Sequence, residues 1–261
     1  MQLDLRKAAQ EKMPHLVLSK QELPLRDMAI RTWTGRMVNE HGSARVFEGL
    51  YHQFAELGLE DQSLERIRSF ADDERRHGVL CGAVVEALGG TACASELPQE
   101  EYPQHLDATP LEAALRNLMS ISCLSETVAV ALIGAEREEM PEGELKELLT
   151  RIYADECAHA NFGWRLLGQL MNKEYEQDSE SAKELGKNLG HYLTVAFAHL
   201  EAHELAHLPL ESNPPPEGGA LGLCSGASAR TLFYATVTQI IVPGLEAMGI
   251  PAQWAWEHRA K

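Results

Sequence analysis

A chain of 261 residues that is 44% hydrophobic has ample material for a core, arranged as one large domain or two small ones. Its 39 acidic residues outnumber 23 basic ones, and the formal charge of −16 repels phosphate backbones and anionic headgroups, which argues against nucleic acid as a partner. The five cysteines, Cys81, Cys93, Cys123, Cys157 and Cys224, are an odd number without a CxxC pair, so reduced thiols are expected rather than a disulfide framework or a zinc knuckle.

Residues 1–24 carry little periodic signal and read as an N-terminal extension, lying along the surface or partly disordered. They hold no apolar run long enough for a signal peptide. No stretch elsewhere approaches the roughly 18 apolar residues of a membrane span, so a cytoplasmic protein is expected. From residue 25 onward, apolar residues recur at intervals of three and four, and alternating β-type runs are almost absent, which predicts an all-α class. The first helix spans about 25–57 and stops at Gly58; the second opens after Asp61, read as its N-cap, and stops at Gly89-Gly90. A third begins at Thr109-Pro110-Leu111-Glu112, a capping box with proline at the first helical position. The fourth starts near Pro141 and fades near Glu176, and a fifth covers about 181–207. The Pro/Gly-rich linker SNPPPEGGALGLCSGAS leads to a sixth from Ala229, which Pro243 kinks or ends. The connection at 89–108 is long enough to travel a bundle of roughly 30 Å at about 3.3 Å per residue. It predicts a four-helix bundle over 25–176 with one long crossover, its second and third helices parallel, and two additional C-terminal helices over 177–261 packing on it.

Two copies of one pattern carry the chemistry: Asp73-Glu74-Arg75-Arg76-His77 and Asp155-Glu156-Cys157-Ala158-His159. Residues three apart share a helical face, so Glu74 with His77, and Glu156 with His159, can converge on one metal side. Each copy follows a helix with another carboxylate at matching depth. Glu48 and Glu74 are read as roughly 15 and 20 Å from their turn, and Glu126 and Glu156 as roughly 20 Å each from theirs, at about 1.5 Å per residue. The result is a weak internal repeat, Glu-x25-Glu-x-x-His and Glu-x29-Glu-x-x-His. A single glutamate on a helix is ordinarily a solvated surface residue. Glu126, however, sits in CLSETVAVAL, too apolar a setting for a casual carboxylate, and metal binding is what stabilises four such charges together. The predicted metal ligands are therefore Glu48, Glu74, His77, Glu126, Glu156 and His159.

This ligand pattern, a Glu from each of two helices and Glu-x-x-His from each of two others, resembles the ferritin-like superfamily of non-haem diiron carboxylate proteins. The resemblance covers about residues 25–175 and implies two iron ions, with manganese or a mixed manganese–iron pair as alternatives. The Asp before each Glu, and Arg76 before His77, are similar to the signature of bacterial multicomponent monooxygenases and ribonucleotide reductase small subunits. By that likeness Asp155 would orient His77 and Asp73 would orient His159. The monooxygenase threonine one turn after the third-helix Glu is Val130 here, and the reductase radical tyrosine falls at Cys81. Length and spacing look closer to the small stand-alone aldehyde-deformylating oxygenases.

Four further features have plainer readings. His52 and His41, one and two turns from Glu48, are candidate additional ligands read as packing or solvent-facing. His199, His203 and His207 form a stripe that could chelate a surface metal, but beside Glu201 and Glu204 it reads as a solvated polar face. Tyr153 reads as a core residue. The resemblance implies an O₂-dependent oxidoreductase that oxidises a small organic substrate with an external electron donor, the two extra helices covering a pocket or building a homodimer. The alternative is iron handling: ferroxidase or storage activity, or rubrerythrin-like peroxide scavenging.

Overall fold

The structure, a computed structural model, describes residues 2–95 and 102–260 apart from the side chain of Tyr175. The middle of the expected crossover, residues 96–101, lies outside the described residues. Nearly everything described is helical, as the three-and-four periodicity requires, and one short two-stranded sheet is present.

The chain divides into two compact units. The first comprises residues 1–103, 133–155 and 214–224; the second comprises 104–132, 156–213 and 225–261. The division cuts through helices. A 34-residue helix is about 50 Å long at about 1.5 Å per residue, enough to serve two cores in turn.

In the first unit, helix α2 (Arg26–Glu56) and helix α3 (Asp61–Ala87) form an antiparallel hairpin. Gly58 makes the turn possible by adopting φ +72°, a left-handed conformation that costs it nothing sterically. Glu60, not Asp61, is the residue before α3, and it makes no side-chain cap bond. Trp33, Met37, Ala44, Phe47, Leu50 and Phe54 form the buried stripe of α2, and Phe47 meets Phe70 of α3 edge-on at 5.5 Å. Burying such side chains stabilises by about 1.5–3 kcal/mol each. The N-terminal segment is largely exposed, but it is anchored at particular residues. Strand β1 (Gln2–Asp4) pairs antiparallel with β2 (Cys93–Ser95), and helix α1 (Arg6–Gln10) follows, with Leu3 and Ala9 buried in the core. Leu145, Leu148, Leu149 and Ile152 join the same core, as do Leu221 and Leu223. Arg36 and the buried Glu136 close one side of it with an ion pair at 2.6 Å.

The second unit contains α4 (Pro110–Leu118), whose N-cap Thr109 accepts a hydrogen bond from the Glu112 amide at 3.2 Å. The helix continues as a π-helical stretch, Met119–Ser125, into α5 (Glu126–Glu139). After the turn, α6 (Glu144–Gln177) belongs to the first unit up to Asp155 and to the second from Glu156. Helix α7 (Ser179–His207) starts at the N-cap Asp178 and packs against α10 (Ala252–Glu257), where Phe197 meets Trp256 edge-on at 5.3 Å. Between them lie α8 (Gly226–Thr236), a second π-helical stretch (Val237–Ile241) and α9 (Val242–Glu246). Pro243 neither ends the helix nor breaks it. The wider π turn just before it absorbs the missing proline N–H.

One expectation is corrected by the helical run Pro110–Glu139, whose 30 residues are long and apolar enough to cross a membrane by length and composition. Half of its most apolar window is buried inside the protein. Such apolarity is what a core helix requires.

Candidate metal centre

Each unit brings together two carboxylates and one imidazole, all buried except Glu40, which is partly buried. In the first unit Glu40, Glu74 and His77 each offer a ligand atom, all within 4.8 Å of one another. The Nδ1 atom of His77 lies 3.4 Å from a Glu40 oxygen and 4.0 Å from a Glu74 oxygen. In the second unit Glu126, Glu156 and His159 meet the same 4.8 Å criterion, with His159 Nδ1 at 3.2 Å from Glu156 and 3.9 Å from Glu126. His77 and His159 are fully buried, and Glu74, Glu126 and Glu156 nearly so.

Local sequence explains the triads. In α3 and α6 the i, i+3 spacing puts each Glu and His on one helical face. Glu126 is the first residue after the π-helical stretch Met119–Ser125, where the extra residue per turn shifts the register of every side chain that follows.

The structure does not bring Glu48 to either triad, which corrects the sequence reading. Its side chain is half-exposed and pairs with Arg75. Glu48 stands eight residues before the end of α2 and Glu74 thirteen after the start of α3, a mismatch of about 7.5 Å at about 1.5 Å per residue. Glu40, which the sequence reading missed, stands sixteen residues before the end of α2, the same depth as His77 in α3. A signal was present: Glu40 falls in the buried stripe, three residues after Met37 and four before Ala44, whereas Glu48 falls outside it. His52 is exposed, and His41 lies against Gly78, where an added Cβ would meet its Cβ at 3.0 Å. Tyr153 is half-buried beneath the Arg137 guanidinium, 4.6 Å from its ring centroid.

The aspartates form a network on the first triad. Asp155 Oδ2 lies 3.1 Å from His77 Nε2 and accepts a hydrogen bond from Arg76 at 2.8 Å. The other arm of Arg76 reaches Asp73 at 2.8 Å. Burial opposes the Arg76 charge, but the Asp155 hydrogen bond and the Asp73 charge outweigh it and hold the guanidinium above its usual pKa. An aspartate so paired is an acceptor, so Nε2 of His77 carries the proton and Nδ1 keeps its lone pair toward Glu40 and Glu74. Asp155→Ala is expected to weaken metal affinity about 10- to 100-fold, with Asp155→Asn retaining more, measured by competition with a chromophoric chelator. Equal affinity in wild type and the alanine variant would remove the role given to Asp155.

The donor set suits a hard or borderline cation. Carboxylate oxygens with imidazole nitrogen match iron and manganese, and no cysteine belongs to either triad. Cys123, one turn before Glu126, is fully buried, and burial pushes its thiol far above the usual pKa, so it stays a neutral thiol. Buried Glu and His groups able to hold metal are thus a property of both units. Of the family models, curated proteins and solved structures compared with this chain, none matches it.

Proposed function

We propose that the chain is a non-haem diiron oxidoreductase of ferritin-like type, which uses O₂ and an external electron donor to oxidise a small organic substrate. The observation that carries the reading is the doubling of one arrangement: two triads, buried but for the partly exposed Glu40, each with a histidine Nδ1 near two carboxylates. In this reading Glu40, Glu74 and His77 hold one iron, and Glu126, Glu156 and His159 hold the other. Asp155 and Glu156 are consecutive in α6, so the residue that orients one histidine adjoins a ligand of the second ion.

A pair of ferrous ions supplies two-electron reduction of O₂. The protein's part is to hold both ions in burial that keeps out bulk water, and to hold His77 in one tautomer through Asp155. None of the five cysteines is in a disulfide, which supports a reducing, cytoplasmic setting.

The test is anaerobic reconstitution with ferrous iron followed by rapid mixing with O₂. Wild type is expected to bind two irons per chain and to show a transient visible absorption. Glu74→Ala and Glu156→Ala are expected to abolish it. Persistence of that absorption in either variant would refute the assignment.

A further inference from the structure

We propose that His203 and His207, on the last two turns of α7, form a second metal site, exposed and separate from the buried triads, that takes a late first-row divalent cation such as copper(II), nickel(II) or zinc(II). The site does not depend on the function proposed above. A four-residue spacing sets both imidazoles one above the other on the helix surface, and both are exposed. Their ring centroids are 4.8 Å apart with an interplanar angle of 62°. An imidazole nitrogen about 2.0–2.1 Å from an ion puts its ring centroid about 3.2 Å away, and two such ligands at cis or tetrahedral angles have centroids about 4.5–5.2 Å apart. The observed separation falls inside that interval. His199, by contrast, stacks on His203 at 6.3 Å and 17°, too distant and too parallel to share the ion without turning.

The neighbouring acids, which made the stripe read as an ordinary solvated face, are engaged in ways that favour the site. Glu201 is occupied by Arg259, at 2.8 and 3.0 Å, and by the Tyr234 hydroxyl at 2.9 Å. Glu204 lies 3.4 Å from His203 Nδ1, so that nitrogen takes the proton and Nε2 keeps the lone pair a cation needs. The carboxylate also contributes negative charge beside the ion. Arg230 donates to the carbonyls of Leu208 and Leu205 at 2.6 and 3.1 Å, pinning the helix end that carries His207. Burial, and then the adjacent His203, hold the His207 imidazolium below the usual histidine pKa, whereas Glu204 raises that of His203. Imidazole pairs prefer the late end of the first-row series, which separates this site from carboxylate triads suited to iron or manganese.

Titration of the full, untagged chain with zinc(II) by calorimetry tests the site. Wild type is expected to bind one equivalent more than His203→Ala or His207→Ala, and His199→Ala is expected to keep that equivalent. Equal stoichiometry in wild type and both variants overturns the proposal. Copper(II) electron paramagnetic resonance gives a second readout. Each buried triad has a single imidazole, so nitrogen superhyperfine splitting from two nitrogens that is kept in His199→Ala and lost in His207→Ala reports the exposed pair, and its absence from wild type overturns the proposal as well.

Discussion

Glu40→Ala is expected to strip the first triad of its ion and halve the iron bound per chain, while Glu48→Ala leaves the iron content unchanged. Glu40 is one of two carboxylates facing His77 Nδ1, at 3.4 Å, and its side chain is only 16% exposed. Removing it takes away one of the carboxylates that would neutralise a divalent ion beside His77, in a setting where water is scarce. Glu48, half-exposed and paired with Arg75, loses only a surface ion pair worth about 0–1 kcal/mol. Elemental analysis of the two reconstituted variants decides the matter. Iron lost in Glu48→Ala and kept in Glu40→Ala would make Glu48, not Glu40, the ligand.

The second large effect is expected from Gly163→Ala. A Cβ on Gly163 would stand 2.2 Å from the Cβ of Ser122, and 3.3 Å from its backbone carbonyl carbon, so α6 and the π-helical stretch touch nearly backbone to backbone. Gly163 is one turn after His159 and Ser122 one turn before Glu126. Forcing the two segments apart draws Glu126 away from His159, now 3.9 Å from it. The expected outcome is a loss of about 1–3 kcal/mol of stability, together with loss of the second ion. Ser122→Gly should restore both in the double variant, because it removes the side chain that the new methyl meets. The Ser122 hydroxyl is buried without a hydrogen-bond partner, so its removal forfeits no bond and costs about 0.5 kcal/mol of helix propensity. Thermal denaturation and iron content of the single and double variants check this. A double variant as poor as Gly163→Ala would mean that the crossing does not position the triad.

These two expectations rest on different kinds of information. Glu126 and the two Glu-x-x-His pairs were legible because each is a local statement: three residues apart on a helix means one face, whatever surrounds it. The apolar run around Glu126 was equally legible, although its π-helical start was not. A π turn has no composition of its own, and only the packing of Ser122 against Gly163 reveals what it accommodates. Glu40 was half-legible, since its place in the buried stripe of α2 could be counted, but Glu48 competed on an estimate of depth that tolerated a whole helical turn.

The N-terminal segment shows the same limit from another side. Three residues of strand have no periodicity to read, and Gln2–Asp4 becomes a strand only because Cys93–Ser95 lies beside it, some ninety residues later in the chain. Helical class, helix ends and the spacing of the Glu-x-x-His pairs follow from the sequence by itself, because caps, prolines and the 3.6-residue period act within a turn or two. Which face of α2 meets which depth of α3 was decided only in the tertiary structure, where Gly78 lets the two helices close on Met37 and His41 and so sets Glu40 beside His77. Register between helices is a property of packing, and packing is shared among residues that the chain keeps far apart.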